Sequence, residues 1–466
     1  MYMKNKYFLF IVIILSFLFL SCSDNSIDDG RGDSTNEYEQ VNTWIENSMR
    51  DYYYWYNEIP NKVDRTLDPE SFFISLLSKK DGKTSNSTHL YYSAIEEKSS
   101  TIRTTAAEGE LSLGFKYQYY YITNTKKYAL KVAYILPDSP ASKSELKRGD
   151  WIFTVNGETI SDNVVENLNN GTSKTLGVAT GPTADVTKQV ILVPTASGDN
   201  PVYLSKVYNL EGKKIGYLVY NHFTPGTTDT DETYNNSLRK AFTNLKNNSI
   251  DEFILDLRYN RGGLITCAQL LATMIAPSEA LGDIFCYTTY NDKQSSRNHT
   301  YKFDASYMQQ GGYGSNLNLG RIFIITSENT ASASEAVINS IRPFMGDNLI
   351  IVGEQTEGKN VGSITLTDSR YNWELHPIVC QISNKNKDSD YENGFPPTTN
   401  YDLSDVHENL YDLGDENEYM LNKVLRNILY NEKVSISSTK SATANTGFTL
   451  ISSSLDRKNT NGVLIK

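Results

Sequence analysis

Residues 326–360 read TSENTASASEAVINSIRPFMGDNLIIVGEQTEGKN. The apolar run RIFIIT closes at Thr326 and reads as a buried strand. A helix is expected over Ser332 to Ile341, starting near Ala331 and burying Val337, Ile338 and Ile341. LIIVG, residues 349–353, then reads as a second strand, so the stretch is strand, turn, helix, strand. Ser332 falls at or near the helix N-terminus, where free N–H groups point outward and the dipole favours negative charge. Two roles fit a serine there. It can cap the helix, a common task for this residue. It can also be a nucleophile whose carbonyl adduct leaves its oxyanion facing those amides.

A second candidate is ILDLRYNRGG, Ile254 to Gly263, a buried strand running into a tight polar turn. Gly262 and Gly263 let backbone N–H groups approach a ligand closely. A strand-to-helix turn without a ligand has the same look. Lys359 ends the GEQTEGK run after LIIVG. A lysine is a general base only when uncharged, and burial favours that form. Read alone, Lys359 is equally a solvated surface charge.

Around these runs, residues 203–430 alternate apolar strands (IGYLVY, EFILDL, RIFIIT, LIIVG) with helical patterns at Asp229 to Lys246 and Leu264 to Ile275. This alternation predicts an α/β core. From Leu111 to Thr195 the apolar period is two, in LSLGFKYQYYYI, YALKVAYI, WIFTVNGETI and KQVILVPTA, which predicts a compact β-rich unit. Val41 to about Glu97 reads mostly helical, with Trp44, Met49, Tyr52, Tyr53 and Trp55 near helical spacing and Pro69 opening a second helix. Such dense aromatics form either a small core or a ligand platform. The segment from Glu432 is rich in Ser and Thr and holds one apolar island, GFTLI, to which no role is assigned.

The chain of 466 residues opens MYMKNKYFLFIVIILSFLFLSCSDNSIDDG. Lys4 and Lys6 precede an apolar run from Tyr7 to Leu20, too short for a membrane span and shaped like a secretory signal. Leu20-Ser21-Cys22 resembles the bacterial lipobox, which predicts lipidation of Cys22 and an acidic, Ser-rich tether behind it. The Cys-Ser-Asp start is similar to that of lipoproteins from Bacteroides-like bacteria, which places the protein in the cell envelope, at the outer membrane, facing the periplasm or the surface. Cys267, Cys286 and Cys380 are too few and too widely spaced for a disulfide scaffold and read as buried small hydrophobes. The five histidines show no metal-motif spacing. A formal net charge of -11 argues against nucleic acid as partner.

Together, residues 41–430 resemble the carboxy-terminal processing, or tail-specific, serine peptidases of family S41. The family's Ser-Ala-Ser-Ala-Ser-Glu run appears as Thr-Ala-Ser-Ala-Ser-Glu, which puts the nucleophile on Ser332 rather than Ser334. Its Gly-Glu-x-Thr-x-Gly stretch is Gly353 to Gly358, which puts the lysine base on Lys359. The 27-residue separation is slightly long, and the extra residues are expected in a turn around Pro343 to Asp347. Leu255 to Gly263 matches the family's oxyanion turn, with donors implied at the amides of Gly262 and Ala333 and with Gly263 completing the turn. Many members carry a glutamine four residues beyond the lysine. Here that position is Ser363, for which supporting and bystander roles both fit. Leu113-Gly114-Phe115 and VAYILPDSPASKSELKRGDWIFTVNG resemble a PDZ domain, in which a peptide adds as a strand and its carboxylate sits in a backbone nest. Gly394 to Thr398, GFPPT, resembles a family segment that closes the core.

The resemblance implies a multidomain α/β fold. Its parts are a signal peptide (1–21), a lipidated tether (22–40), an N-terminal helical domain (41–108), a PDZ-like domain (109–196), a protease core (197–431) with a crotonase- or ClpP-like β-β-α spiral, and a Ser/Thr-rich tail (432–466). It implies hydrolysis of proteins or peptides through an acyl-enzyme, with substrates engaged by their C-termini and no metal or cofactor. Three other readings stay open: a Ser-His site using His222 or His376, a non-catalytic peptide-binding lipoprotein of the same fold, and a PDZ-type scaffold.

Overall fold

The computed structural model describes residues 38–85, 88–98, 111–228, 230–405, 410–434, 447–455 and 463–465. The signal, the lipobox and Cys22 lie outside the described residues.

Helix α1 (Glu39–Tyr52) packs against α2 (Pro69–Ser75). Proline opens α2 as expected, and the Asp68 carboxylate caps it by accepting the Ser71 amide at 3.0 Å. Met49 and Tyr53 are buried, with Trp44 and Trp55 packed against them, so these aromatics form a core. The rest of this region is short strands. The last, β1 (Ala94–Glu97), leaves its own unit and pairs with a strand of the main core. The helical reading therefore holds for 39–75 and fails for 83–97, where β1 satisfies its backbone on a distant partner.

The β-rich unit is an antiparallel sheet of β2 (Phe115–Ile122), β3 (Lys127–Ile135), β4 (Trp151–Val155), β5 (Lys174–Ala179) and β6 (Lys188–Leu192), ordered β6-β5-β4-β3-β2. The run LPDSPASKSELKRGD supplies a single turn of 3₁₀ helix, Ala141–Lys143. A short strand, Glu158–Thr159, pairs with β4, and a further strand from far down the chain pairs with β2.

The main sheet runs β7 (Val202–Leu210), β8 (Lys213–Tyr220), β9 (Glu252–Asp256), then Ile322–Thr326 and Leu349–Gly353. The first pair is antiparallel and the rest are parallel. Parallel strands covered on both faces read as continuous apolar runs, which is why EFILDL and RIFIIT lack alternation. Leu255 and Ile324 face one core with Leu218; Ile254 and Ile325 face the other with Tyr217.

The first of these cores is filled by α3 (Thr233–Asn247), α4 (Ile265–Ile275) and α5 (Ala333–Met345). Beyond them lies a second sheet built on β10 (Ile284–Tyr290), with β11 (Ile322–Thr326) and β12 (Leu349–Gly353) completing the main sheet. The second sheet pairs β10 with β15 (Ile378–Ser383) and β15 with β13 (Val361–Ser363), while β14 (Trp373–His376) receives β1. Helix α6 (Tyr419–Tyr430) covers the outer face of the main sheet. The layers are thus helix, sheet, helices, sheet. Helix α5 continues through Pro343 to Met345, and a short 3₁₀ turn, Gly346–Asn348, follows it.

Cys267, Cys286 and Cys380 are buried and form no disulfide, as expected. Among the described residues, no helix is long and apolar enough to cross a membrane.

Candidate active site

The turn between β11 and α5 is stitched to the Leu257–Gly263 turn by hydroxyls. Thr330 Oγ1 donates to the Leu257 carbonyl at 2.9 Å, and Ser327 Oγ donates to that of Arg258. Ser334 Oγ donates to the Asn260 carbonyl at 3.1 Å. Ser334 is thereby consumed in structure. Ser332 differs. It stands at the N-cap with φ 61° and ψ -109°, a region costly for any residue with a Cβ. Its hydroxyl faces the Glu335 amide in a capping-box arrangement but outside hydrogen-bond geometry. Among the described residues Oγ has no hydrogen-bond partner, although Ser332 is fully buried.

Glu335 holds the site together. Its Oε2 accepts the Ser332 amide and the Lys359 amide, each at 2.8 Å. Its Oε1 accepts the Gly358 amide and Thr356 Oγ1, each at 2.6 Å. Burial pushes this carboxyl up to about 7, opposed by the bonds from Thr356, Ser332, Gly358 and Lys359. Thr356 Oγ1 also accepts the Phe395 amide at 2.7 Å, so the GFPPT segment braces the lysine loop.

Lys359 is 2 % exposed, and among the described residues its Nζ has no hydrogen-bond partner. Nζ lies 4.7 Å from the centroid of the Tyr92 ring. Burial pushes the amine down to about 8, against the pull of Asp81 and Glu357, which favour its charged form. Asp81 is itself buried and accepts Tyr53 OH at 2.9 Å and the Tyr92 amide at 2.9 Å. The N-terminal unit thus builds one wall of the lysine pocket. Sequence reading missed Asp81, Tyr92 and Glu335. Only Glu335 left a trace, as the third residue after the N-cap serine, where a carboxylate returns to the cap amide.

Gly262 has φ +103°, and a Cβ there would lie 2.8 Å from Ser332 Cβ, so glycine is required beside the serine. Its amide, expected to point into the site, instead donates to Asn260 Oδ1 at 2.9 Å. Among the described residues, the amides of Gly263 and Ala333 make no hydrogen bond. Ser363 is buried on β13, and its hydroxyl makes no hydrogen bond to Lys359 Nζ. Neither His222 nor His376 reaches Ser332. His222 Nε2 lies 2.9 Å from the Asp199 carbonyl, and His376 Nε2 lies 3.1 Å from Glu96 Oε1.

Residues 214–386 match the model of peptidase family S41, and residues 40–94 match that of the peptidase S41 N-terminal domain. A Bacteroides fragilis crystal structure assigned to the S41 proteases is 31 % identical, with a TM-score of 0.70. That likeness covers 83 % of this chain and 96 % of the other. The chain belongs to peptidase family S41. It is also 23 % identical over 269 residues to a carboxyl-terminal-processing protease of Picosynechococcus, covering 54 % of this chain and 58 % of that one. A chloroplastic carboxyl-terminal-processing peptidase of Arabidopsis thaliana is 28 % identical over 242 residues, covering 50 % and 44 %. The chain spans about half the length of these curated relatives.

In this S41 chain the β-rich unit is fastened close to the site through two buried arginines. Arg258, at the end of β9, bonds Asp256 at 2.8 Å and both oxygens of Glu418 at 2.7 and 3.0 Å. Arg148, from the β-rich unit, pairs with Asp405 at 3.3 Å and donates to Tyr259 OH at 3.0 Å. Arg258 also reaches Asp405, at 3.1 Å. The turn that follows Arg258 is the one packed on Ser332, so this network locates the β-rich unit relative to the site.

Proposed function

We propose that the protein is a serine endopeptidase with a Ser332–Lys359 dyad. The observation that carries this reading is the pair of buried, unpartnered atoms, Oγ of Ser332 and Nζ of Lys359, on backbones that meet at one oxygen of Glu335. Neutral Lys359 takes the proton of Ser332, and Oγ attacks the scissile carbonyl carbon. The free amides of Ala333 and Gly263 hold the oxyanion, with Gly262 giving the close approach. The C–N bond breaks, Lys359 returns the proton to the leaving amine, and the serine keeps the acyl group. Water then attacks the acyl carbon as Lys359 accepts its proton, the bond between that carbon and Oγ breaks, Lys359 returns the proton to Oγ, and the acid product leaves. Ser363, which makes no hydrogen bond to Nζ, takes no part in these steps.

The β-rich unit is read as PDZ-like, taking a substrate's C-terminal segment along β2 with the carboxylate near Leu113, Gly114 and Phe115. Gly114 has φ +87°, as such a backbone nest requires. The layered core is read as the β-β-α spiral of the family. Lipidation of Cys22 would tether the enzyme to the outer membrane, where protein and peptide tails are its substrates. The second reading, a non-catalytic envelope peptide binder, is favoured by one observation: Oγ and Nζ are not hydrogen bonded to each other.

The test is a peptide library with diverse C-termini, incubated with the chain from Ser23 onward and with its Ser332→Ala and Lys359→Ala forms. Cleavage by the wild type alone, read by mass spectrometry, supports the dyad. Equal cleavage by all three defeats it, and no cleavage by any favours the binder.

A further inference from the structure

The GFTLI island belongs to the segment that supplies the strand at the β2 edge of the β-rich unit. Phe448–Ser453 (β16) runs antiparallel to β2, pairing Phe448 with Ile122 and Ser453 with Gln118. Ser454 continues the ladder. Its amide donates to the Tyr117 carbonyl at 2.9 Å, and its Oγ accepts the Tyr117 amide at 2.7 Å. Phe448 packs 5.4 Å from the Trp151 ring. The direction is informative: β16 advances along β2 toward Phe115, Gly114 and Leu113. That is the path of a peptide added as a strand with its end directed at the Leu113–Phe115 loop.

The same segment returns at the catalytic face. Val463–Leu464 lies parallel to β13, whose first residue is two beyond Lys359. The Leu464 amide donates to the Gly263 carbonyl at 3.1 Å, and the Ile465 amide donates to the Ser363 carbonyl at 3.1 Å. Ile465 is buried in the same core cluster as Ala333. Gly362 permits the approach, since a Cβ there would lie 3.0 Å from the Ile465 side chain. One strand of peptide therefore spans the gap between the turn packed on Ser332 and the strand leading from Lys359.

We propose that residues 447–455 and 463–465 are a resident competitor of substrate, docked in cis along two peptide-binding edges, β2 and the Gly263–β13 gap, respectively. The β-sheet contacts are mostly main-chain to main-chain, so any extended peptide can replace them. The side chains packed on the core there are aliphatic, Leu464 and Ile465, which assigns the catalytic edge to substrates with small-to-medium aliphatic runs. The consequence for turnover rests on the peptidase reading; the docking does not. An occupant on the same chain competes at an effective concentration on the order of millimolar, so it raises the apparent KM and leaves kcat alone.

The experiment uses the chain from Ser23 onward as wild type and as a Leu464→Pro/Ile465→Asp double variant. Proline removes the donor to Gly263, and a carboxylate at 465 opposes burial. A fluorescently labelled synthetic peptide spanning residues 447–465 is titrated into each, and hydrolysis of an unstructured peptide is followed in parallel. The variant should bind the labelled peptide about tenfold or more tighter than wild type, with KM lowered to a similar extent and kcat unchanged. A folded variant that binds no better than wild type overturns the proposal. Tighter binding with no hydrolysis by either form leaves the docking standing and removes the peptidase reading. Should the variant not fold, deuterium exchange on the wild type decides. Saturating unlabelled 447–465 peptide should speed exchange at 448–454 and 464–465, and unchanged exchange overturns the proposal.

Discussion

Ser332 and Lys359, 27 residues apart in sequence, donate their backbone amides to the same oxygen, Oε2 of Glu335, each at 2.8 Å. The other oxygen takes Gly358 and Thr356. Four donors on one buried carboxylate leave it no room for an N–H of its own. Glu335→Gln would turn one acceptor atom into a donor facing two donors. The expected result is a loss of about 3 kcal/mol or more in chemical denaturation. Because the bridge sets the relative position of the two residues, kcat/KM should fall by about 100-fold or more even in protein that remains folded.

The acid limb of the activity profile should report Lys359. Only the uncharged amine can take the serine proton, so kcat/KM should rise with pH through about 8 rather than near the ordinary lysine value. The Tyr92 ring, 4.7 Å from Nζ, favours the charged form. Tyr92→Leu should therefore move the midpoint down by about half a unit, with kcat on the plateau little changed. A shift upward would contradict the placement of that ring.

Stability carries the same two groups with opposite signs. Lys359 has a folded value near 8, below its unfolded one, so between these values the unfolded chain binds more protons and stability rises with pH. Glu335 has a folded value near 7 against 4.5, so between these the folded chain binds more protons and stability falls as pH rises. Denaturation midpoints of Lys359→Met should lack the alkaline rise that the wild type shows above about pH 8.

Ser332→Ala should separate activity from folding. The hydroxyl is buried and makes no hydrogen bond, so its removal leaves no partner stranded. Stability should change by less than about 1 kcal/mol, while hydrolysis falls by about a thousandfold or more. Ser334→Ala gives the contrast: it strips the Asn260 carbonyl of a donor and should cost about 1–2 kcal/mol.

The contrast between Ser332 and Ser334 also marks how far the sequence could be read. The strand–turn–helix–strand order around residue 332 follows from local apolar pattern and capping chemistry, and the helix begins at Ala333, two residues from the expected start. Lys359 could be named only through the resemblance, since its burial depends on Tyr92 and Asp81, more than 250 residues earlier. No period or spacing records such a contact. The Gly262 amide was misread for a similar reason, because Asn260, two residues away, supplies a closer acceptor. Strand β1 and the GFTLI strand were missed because each is an edge addition to a sheet formed elsewhere, and edge strands are specified by their partners as much as by their own residues.

Arg148 and Arg258 share Asp405 and Glu418 across the boundary between the β-rich unit and the core. Both arginines are buried, and Glu418 is fully buried. Arg258 keeps Asp256 as a partner of its own. Arg148 has none within the β-rich unit that these contacts provide, so its charge is neutralised only when the two units are docked. Arg148→Met removes one cation from a set that has two cations and three carboxylates, and it leaves an excess of buried negative charge. The docked state should lose about 3–5 kcal/mol. Loss of docking moves the edge of β2 away from the catalytic turn. Peptides long enough to reach from that edge to Ser332 should then lose their advantage over short ones, while hydrolysis of short peptides persists. Limited proteolysis near residues 197–201 should accelerate in parallel. An Arg148→Met protein with unchanged length preference and unchanged nicking would show that the β-rich unit is held by other contacts.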